Sequence, residues 1–222
     1  MGPDELRTKL EEARLYAFVD AAYLNGRQPT EVTRALCDGG ADIIQLRAKG
    51  LMPDEVRRMA EAIAPIIKSS GALMVVNDHP DIAVAVGAPL CHLGQEDFFE
   101  AGHSKAADVT GVPPRFGLGL STHSPSQAEK SIGASPDYIA IGPVFATGTK
   151  PTAPPVTLEY VRWASANLKV PWFAIGGIDL GTLSSVLEAG ARRICVVSSI
   201  LNSRDISGAC QAFRNRLVSA SR

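Results

Sequence analysis

Residues 72–97, ALMVVNDHPDIAVAVGAPLCHLGQED, decide how the chain is read, because two short apolar runs each break off at acid-bearing polar residues. Leu73 to Val76 is continuous, apolar and too short for a helix, the mark of a strand buried on both faces. Asn77 and Asp78 then stand where its carboxyl end emerges. Leu90 to Leu93 repeats the pattern and ends at Gly94-Gln95-Glu96-Asp97. Between the runs, Asp81 to Gly87 is long enough for about two helical turns that return the chain to the same edge. Both carboxylates, Asp78 and Asp97, then face one mouth. Two oxygen-bearing side chains, with no Cys or His pair at zinc spacing, suit a hard cation such as Mg²⁺ that keeps several waters and shares substrate phosphates. Asp also leads helix starts, so local spacing alone leaves open the reading that both acids only cap the helices that follow.

The same unit recurs outward in both directions. Asp4 to Arg14 carries Leu6 and Leu10 on one face and reads as a lead-in helix within residues 1–14. Leu15 to Asp20 is a first strand, followed by a helix capped at Thr30 and ending at Gly39-Gly40. Ala41 to Leu46 is a second strand, and Pro53 opens a helix through Ile67. Beyond the central pair, a looser segment around Gly111 to Pro114 leads to a fifth strand, Phe116 to Leu120. Ser124 to Ile132 is the next helix and Tyr138 to Ile141 the sixth strand. Residues 143–157, PVFATGTKPTAPPVT, hold four prolines and four threonines and form the longest loop. Thr157 caps a helix to Asn167; Val170 to Ile175, Asp179 to Ala189, Arg193 to Val197 and Asp205 to Val218 complete strand, helix, strand, helix.

Eight strand-then-helix units in 222 residues predict an α/β fold, a single-domain (β/α)8 TIM barrel over residues 1–222. The alternative is an open doubly wound sheet, but no glycine fingerprint follows the first strand. A hydrophobic content of 45% is enough for a full core, and a net charge of −1 at pH 7 gives no general attraction to nucleic acid or to an anionic membrane. The charged N-terminus has no apolar core of a signal peptide, and no apolar run is long enough to span a bilayer. Cys37, Cys91, Cys195 and Cys210 are far apart in apolar or helical surroundings and read as free thiols of a reducing compartment, so the cytoplasm is expected. Small-molecule substrates are the expected partners; assembly into a homo-oligomer stays open.

In a barrel the functional groups lie just after the strands. Gln45, Arg47 and Lys49 share one parity at the end of the second strand, so all three can reach the mouth while Leu46 packs outward. The fifth strand ends in Ser121-Thr122-His123, which suits phosphate binding or proton transfer and is equally an ordinary helix entry. Gly176-Gly177 and Ser198-Ser199 end the seventh and eighth strands, where barrels repeatedly build a phosphate pocket. The long loop adds Thr147, Thr149 and Lys150 beside Gly148 and rigid prolines, a composition suited to closing over a phosphorylated ligand. Arg47, Lys49 and Lys150 together are more positive charge than one monophosphate needs, which points to a diphosphate with its metal.

These residues resemble the thiamine phosphate synthase family. The likeness is carried by GGADIIQLRAKG (39–50), VVNDHPDIAVAVGAPLCHLGQEDF (75–98), GLSTHS (119–124), DYIAIGPVFATGTK (137–150), AIGGI (174–178) and VVSSI (196–200), in the family's order and spacing over nearly the whole chain. The resemblance implies a transferase that couples an aminopyrimidine methyl diphosphate with a thiazole phosphate. It implies Mg²⁺ on Asp78 and Asp97, and the pyrimidine diphosphate on Gln45, Arg47, Lys49, Asn77, Ser121 and Lys150. Among these, Arg47, Lys49, Ser121 and Lys150 would carry the catalysis. Thr147, Thr149, Gly177, Val197 and Ser198 would hold the thiazole phosphate. Ala146, Gly148, Thr157 and the stretch 99–115 depart from the family's usual pattern. A metal-free thiazole tautomerase on the same barrel is a rival reading, with His123 as its catalytic residue, but Asp78 and Asp97 match the synthase. A non-catalytic barrel that binds thiamine phosphates is the other, and the intact set of Arg47, Lys49 and Lys150 argues against it.

Overall fold

Six consecutive buried residues, Leu15–Asp20, make the first strand (β1) of the computed structural model, which describes residues 1–111, 114–148 and 155–220. All-buried strands of this kind belong to parallel sheets covered on both faces. Seven more follow: β2 (Ile43–Arg47), β3 (Leu73–Asn77), β4 (Leu90–Gly94), β5 (Gly117–Thr122), β6 (Tyr138–Ile141), β7 (Trp172–Ile175) and β8 (Ile194–Cys195). Each pairs in parallel with the next, and β8 returns to β1 with Leu15 opposite Ile194 and Tyr16 opposite Cys195, closing the barrel. The eight-stranded (β/α)8 architecture expected from the sequence is therefore present.

The helices are α1 (Pro3–Glu12), α2 (Pro29–Asp38), α3 (Pro53–Ser70), α4 (Pro80–Val86), α5 (Gln95–Glu100), α6 (Ala107–Thr110), α7 (Pro125–Gly133), α8 (Thr157–Asn167), α9 (Leu183–Glu188), α10 (Ser198–Leu201) and α11 (Ile206–Ser219). On α3 the buried residues Val56, Ala60, Ile63 and Ile67 recur at helical spacing, so one stripe packs on the barrel. Helix α1 crosses the end where the strands begin: Lys9 Nζ donates to Gly71 O before β3, and Arg193 Nη2 to Glu11 O before β8. Its buried Leu6 and Leu10 close that end, and the opposite end stays open.

Several boundaries differ from the sequence reading, each for a local reason. Thr30 lies inside α2, which is entered at Gln28, whose backbone N–H donates to the Glu31 carboxylate. Val156 rather than Thr157 precedes α8, and the Thr157 hydroxyl accepts from Glu159 N one position later. Helix α9 starts at Leu183 instead of Asp179, because the Asp179 carboxylate and Thr182 bond each other's backbone N–H groups in a turn that competes with helix. Strand β8 has only two residues, and the chain coils into α10 at the serine pair. The chain enters α5 directly from β4, so Asp97 lies in the first turn of that helix, and α6 follows within the stretch 99–115.

Candidate active site at the barrel mouth

The ends of β2, β3, β4, β5, β7 and β8 and the loop after β6 line one cavity. Gln45, Arg47, Lys49, Asn77, Asp78, Asp97, Ser121, Thr147, Gly177, Val197 and Ser198 all contribute to its wall, as the sequence reading expected. Thr149 and Lys150 lie outside the described residues.

Strand β2 sets the first group. Gln45 is buried inside the barrel and Leu46 is buried on the other face, as alternating parity requires. Arg47 stands opposite Asp20 in the β1–β2 register, and its Nη1 lies 2.8 Å from Asp20 Oδ2. Asp20 Oδ1 also accepts from Ala22 N, so a buried carboxylate tied to the backbone through one oxygen anchors the guanidinium through the other. Lys49 Nζ lies 3.4 Å from Asp78 Oδ2, joining the ends of β2 and β3. Asp78 itself has φ 63°, and its N–H donates to His92 O on β4, which fixes the turn at this strand end.

The acids after β4 are set by a glycine. A Cβ at Gly94 would fall 2.6 Å from Asp97 Oδ2, so a side chain there would push this carboxylate from its place over the strand end. Glu96 lines the same wall and accepts from Gln127 Nε2, and the other end of that amide accepts from His123 N. His123 Nδ1 bonds Gly142 O, which makes it the protonated ring nitrogen. The hydroxyl pair read at β5 divides: Ser121 lines the mouth, whereas the Thr122 hydroxyl is held by Ala140 O and Tyr160 Oη. The serine pair after β8 divides likewise. Ser199 Oγ donates to Ile178 O, and Ser198 lines the mouth. The glycine pair after β7 receives the β6 loop, with Val144 N donating to Ile175 O and Phe145 N to Gly176 O.

Of the three cations the sequence reading placed at the mouth, Arg47 and Lys49 are among the described residues and line it. Among the described residues, Arg47 and Lys49 face four carboxylates, those of Asp20, Asp78, Glu96 and Asp97. Each cation is already ion-paired, because strand pairing brings acids from β1 and β3 beside it. Among the described residues no group of three or more His, Cys, Asp and Glu side chains gathers as a metal cluster. Asp78 and Asp97 both line the mouth, and carboxylates so placed could hold a hard cation that takes few protein ligands.

The sequence reading missed Asp20, Glu96, Gln127, Tyr16 and His92. Glu96 had a signal, its place between Gln95 and Asp97; the others needed the strand register.

A family model described as thiamine monophosphate synthase matches residues 15–200. The thiamine-phosphate synthase of Thermus thermophilus is 44% identical over 187 residues, covering 83% of this chain and 86% of that protein. That of Acidothermus cellulolyticus is 40% identical over 217 residues, covering 97% of this chain and all of the other. Among solved structures, thiamine phosphate pyrophosphorylase from Pyrococcus furiosus superposes with a TM-score of 0.83 at 28% identity, over 97% of this chain and 98% of that one. A 3-hexulose-6-phosphate synthase, with a TM-score of 0.64 at 18% identity, shares the fold.

Proposed function

The chain belongs to the thiamine monophosphate synthase family of transferases, and on that premise we propose how its barrel mouth carries out the coupling. The substrates are 4-amino-2-methyl-5-(diphosphomethyl)pyrimidine and 4-methyl-5-(2-phosphoethyl)thiazole or its carboxylated form; the products are thiamine phosphate and diphosphate. The observation that carries this reading is the convergence of Asp78, Asp97, Arg47 and Lys49 on one mouth, where among the described residues the carboxylates of Asp78, Glu96 and Asp97 share the wall with those two cations.

Gln45 and Asn77 form the floor and hold the aminopyrimidine ring, with Ser121 beside it at the β5 end. Arg47, Lys49 and, from the sequence, Lys150 take the diphosphate. Asp78 and Asp97 hold Mg²⁺, which when bound supplies positive charge to the departing diphosphate. Thr147, Thr149, Gly177, Val197 and Ser198 hold the thiazole phosphate on the opposite side, so the thiazole nitrogen, the pyrimidine methylene carbon and the leaving diphosphate oxygen lie in line. Preorganised cations at the place where negative charge gathers suit a dissociative substitution, in which diphosphate leaves before the thiazole nitrogen attacks.

We take residues 1–222 as one domain. No described helix is long and apolar enough to cross a membrane. All four cysteines are free, which suits the reducing cytoplasm we take as its compartment.

The test is to incubate purified protein with both substrates, with and without Mg²⁺, and follow products by chromatography. Thiamine phosphate and diphosphate should appear together and only with the metal. Isomerisation of the thiazole with no coupling would instead support a metal-free isomerase.

A further inference from the structure

Five polar side chains from five strands meet inside the barrel beneath the mouth. Gln45 Nε2 on β2 donates to Asn77 Oδ1 on β3 at 2.9 Å, and Tyr16 Oη on β1 donates to Gln45 Oε1 at 2.5 Å. The Tyr16 and Tyr138 hydroxyls are 3.0 Å apart, and His92 Nδ1 on β4 lies 3.0 Å from Tyr138 Oη on β6. None of the five is more than 8% exposed. The path is built into the backbone: a Cβ at Gly119 would fall 2.1 Å from Tyr138 Cζ and 2.5 Å from its hydroxyl, so any other residue there would occupy the place of the phenol. Phe173 meets both tyrosine rings edge-on, at 5.5 Å from Tyr16 and 5.6 Å from Tyr138, which holds them in place.

A run of hydrogen bonds through hydroxyls has a direction, because each hydroxyl carries one proton. Burial raises both tyrosines well above their ordinary range, so both protons are present. Tyr16 gives its proton to Gln45, hence Tyr138 donates to Tyr16, and His92 Nδ1 donates to Tyr138. The Gln45 oxygen facing Tyr16, with its nitrogen on Asn77, is the end from which this direction is read. The Asn77 oxygen is thereby turned to Gln45, and the Nδ2 end of the amide is turned the other way.

We propose that His92, Tyr138 and Tyr16 are positioning residues that set the direction of the Gln45 and Asn77 amides, so that the floor of the mouth presents N–H donors. Such a floor selects a heteroaromatic ring with a bare nitrogen acceptor over an oxo analogue that carries N–H at that position. The polarity stands on the network itself; only the identity of the ring rests on the function proposed above.

Two measurements test this. Nitrogen-15 NMR of the ligand-free full chain reads the tautomer of His92, assigned by substituting His79, His103 and His123 one at a time. Protonated Nδ1 is expected. The opposite polarity would leave Nδ1 bare and turn the Asn77 oxygen to the mouth, and that result overturns the proposal whatever the enzyme does. Kinetics of Tyr138→Phe then compare the aminopyrimidine diphosphate with its 4-oxo analogue. Loss of one hydrogen bond in the chain should cut the discrimination between them by about tenfold while KM for the thiazole phosphate stays unchanged. Equal losses on both pyrimidines would mean a merely structural role and would also overturn it. Absence of all coupling would refute the function instead, with the NMR result still deciding the polarity.

Discussion

Lys49 Nζ lies 3.4 Å from Asp78 Oδ2, with the lysine side chain 52% and the carboxylate 32% exposed. A pair this open to water adds little to stability, about 0–1 kcal/mol. Its consequence is for the ligands: the carboxylate assigned to the metal and the ammonium assigned to the diphosphate hold each other until both arrive.

Asp78→Asn removes a charged oxygen donor and also releases Lys49, whereas Asp97→Asn removes only the donor. Each is expected to lower kcat by roughly 100-fold or more, in line with loss of a preorganised electrostatic group, and to raise the Mg²⁺ concentration needed for half-maximal rate. Titration of activity and of metal binding by calorimetry checks both effects. Full activity of either variant at low Mg²⁺ would remove that carboxylate from the metal site.

Asp20 is 1% exposed and holds Arg47, whose side chain is 14% exposed. Removing one member of a buried pair strands the other, but Arg47 reaches some water. Asp20→Asn is therefore expected to cost about 1–3 kcal/mol in urea unfolding. With its anchor gone, Arg47 should bind less well, and KM should rise for the pyrimidine diphosphate more than for the thiazole phosphate. Lower stability with both KM values unchanged would leave Asp20 no part in the site.

The difference between Asp20 and Asp78 also explains what the sequence could and could not say. Asp78 follows the abrupt end of an apolar run, a local signal, and the eight such runs with their helices were enough to recognise a barrel. Asp20 reads as the last residue of a strand, and its partner Arg47 is 27 positions away; only the β1–β2 register sets them opposite. The same limit hid the path from His92 through Tyr138 and Tyr16, each of which looks like an ordinary strand residue. Paired motifs failed in a different way. In Ser121-Thr122 and Ser198-Ser199 adjacent hydroxyls point apart, so composition named two candidates where geometry leaves one at each place.

Ser198→Asp is expected to raise KM for the thiazole phosphate far more than for the pyrimidine diphosphate, since a carboxylate placed in a phosphate pocket repels the ligand. Ser199→Ala, which loses only the bond to Ile178 O, should affect stability more than either KM. Equal KM effects of Ser198→Asp on both substrates would mean that the two phosphate sites are assigned the wrong way round.

Asp137 is exposed as a residue, but the crowding of its carboxyl against the start of β5 holds it above its ordinary range, against the pull of the Leu118 N–H that donates to Oδ2 at 2.7 Å. A raised folded pKa means that the folded chain keeps its proton where the unfolded chain has lost it. Stability then falls as pH rises from the ordinary carboxylate value through the raised one. Asp137→Asn keeps an oxygen for Leu118 and removes the titration. Urea unfolding between about pH 4 and 7 should show the variant gaining on the parent as pH rises. A gain on going down in pH would mean that the N–H bond outweighs that crowding.

The bond-breaking step gives the sharpest test of the proposed chemistry. Arg47 and Lys49 converge on the mouth beside Asp78 and Asp97, an arrangement suited to stabilising negative charge on a leaving diphosphate. The aminopyrimidine can spread the positive charge left on its methylene, so the protein need only hold both partners in line and exclude water. If diphosphate leaves first, an electron-withdrawing CF₃ group on the pyrimidine should slow the chemical step by orders of magnitude while binding stays nearly unchanged. In a direct displacement little positive charge builds on the ring, and the penalty should be small. Single-turnover rates with the parent and CF₃ substrates separate the two routes, and a ratio within a few fold would exclude the dissociative one.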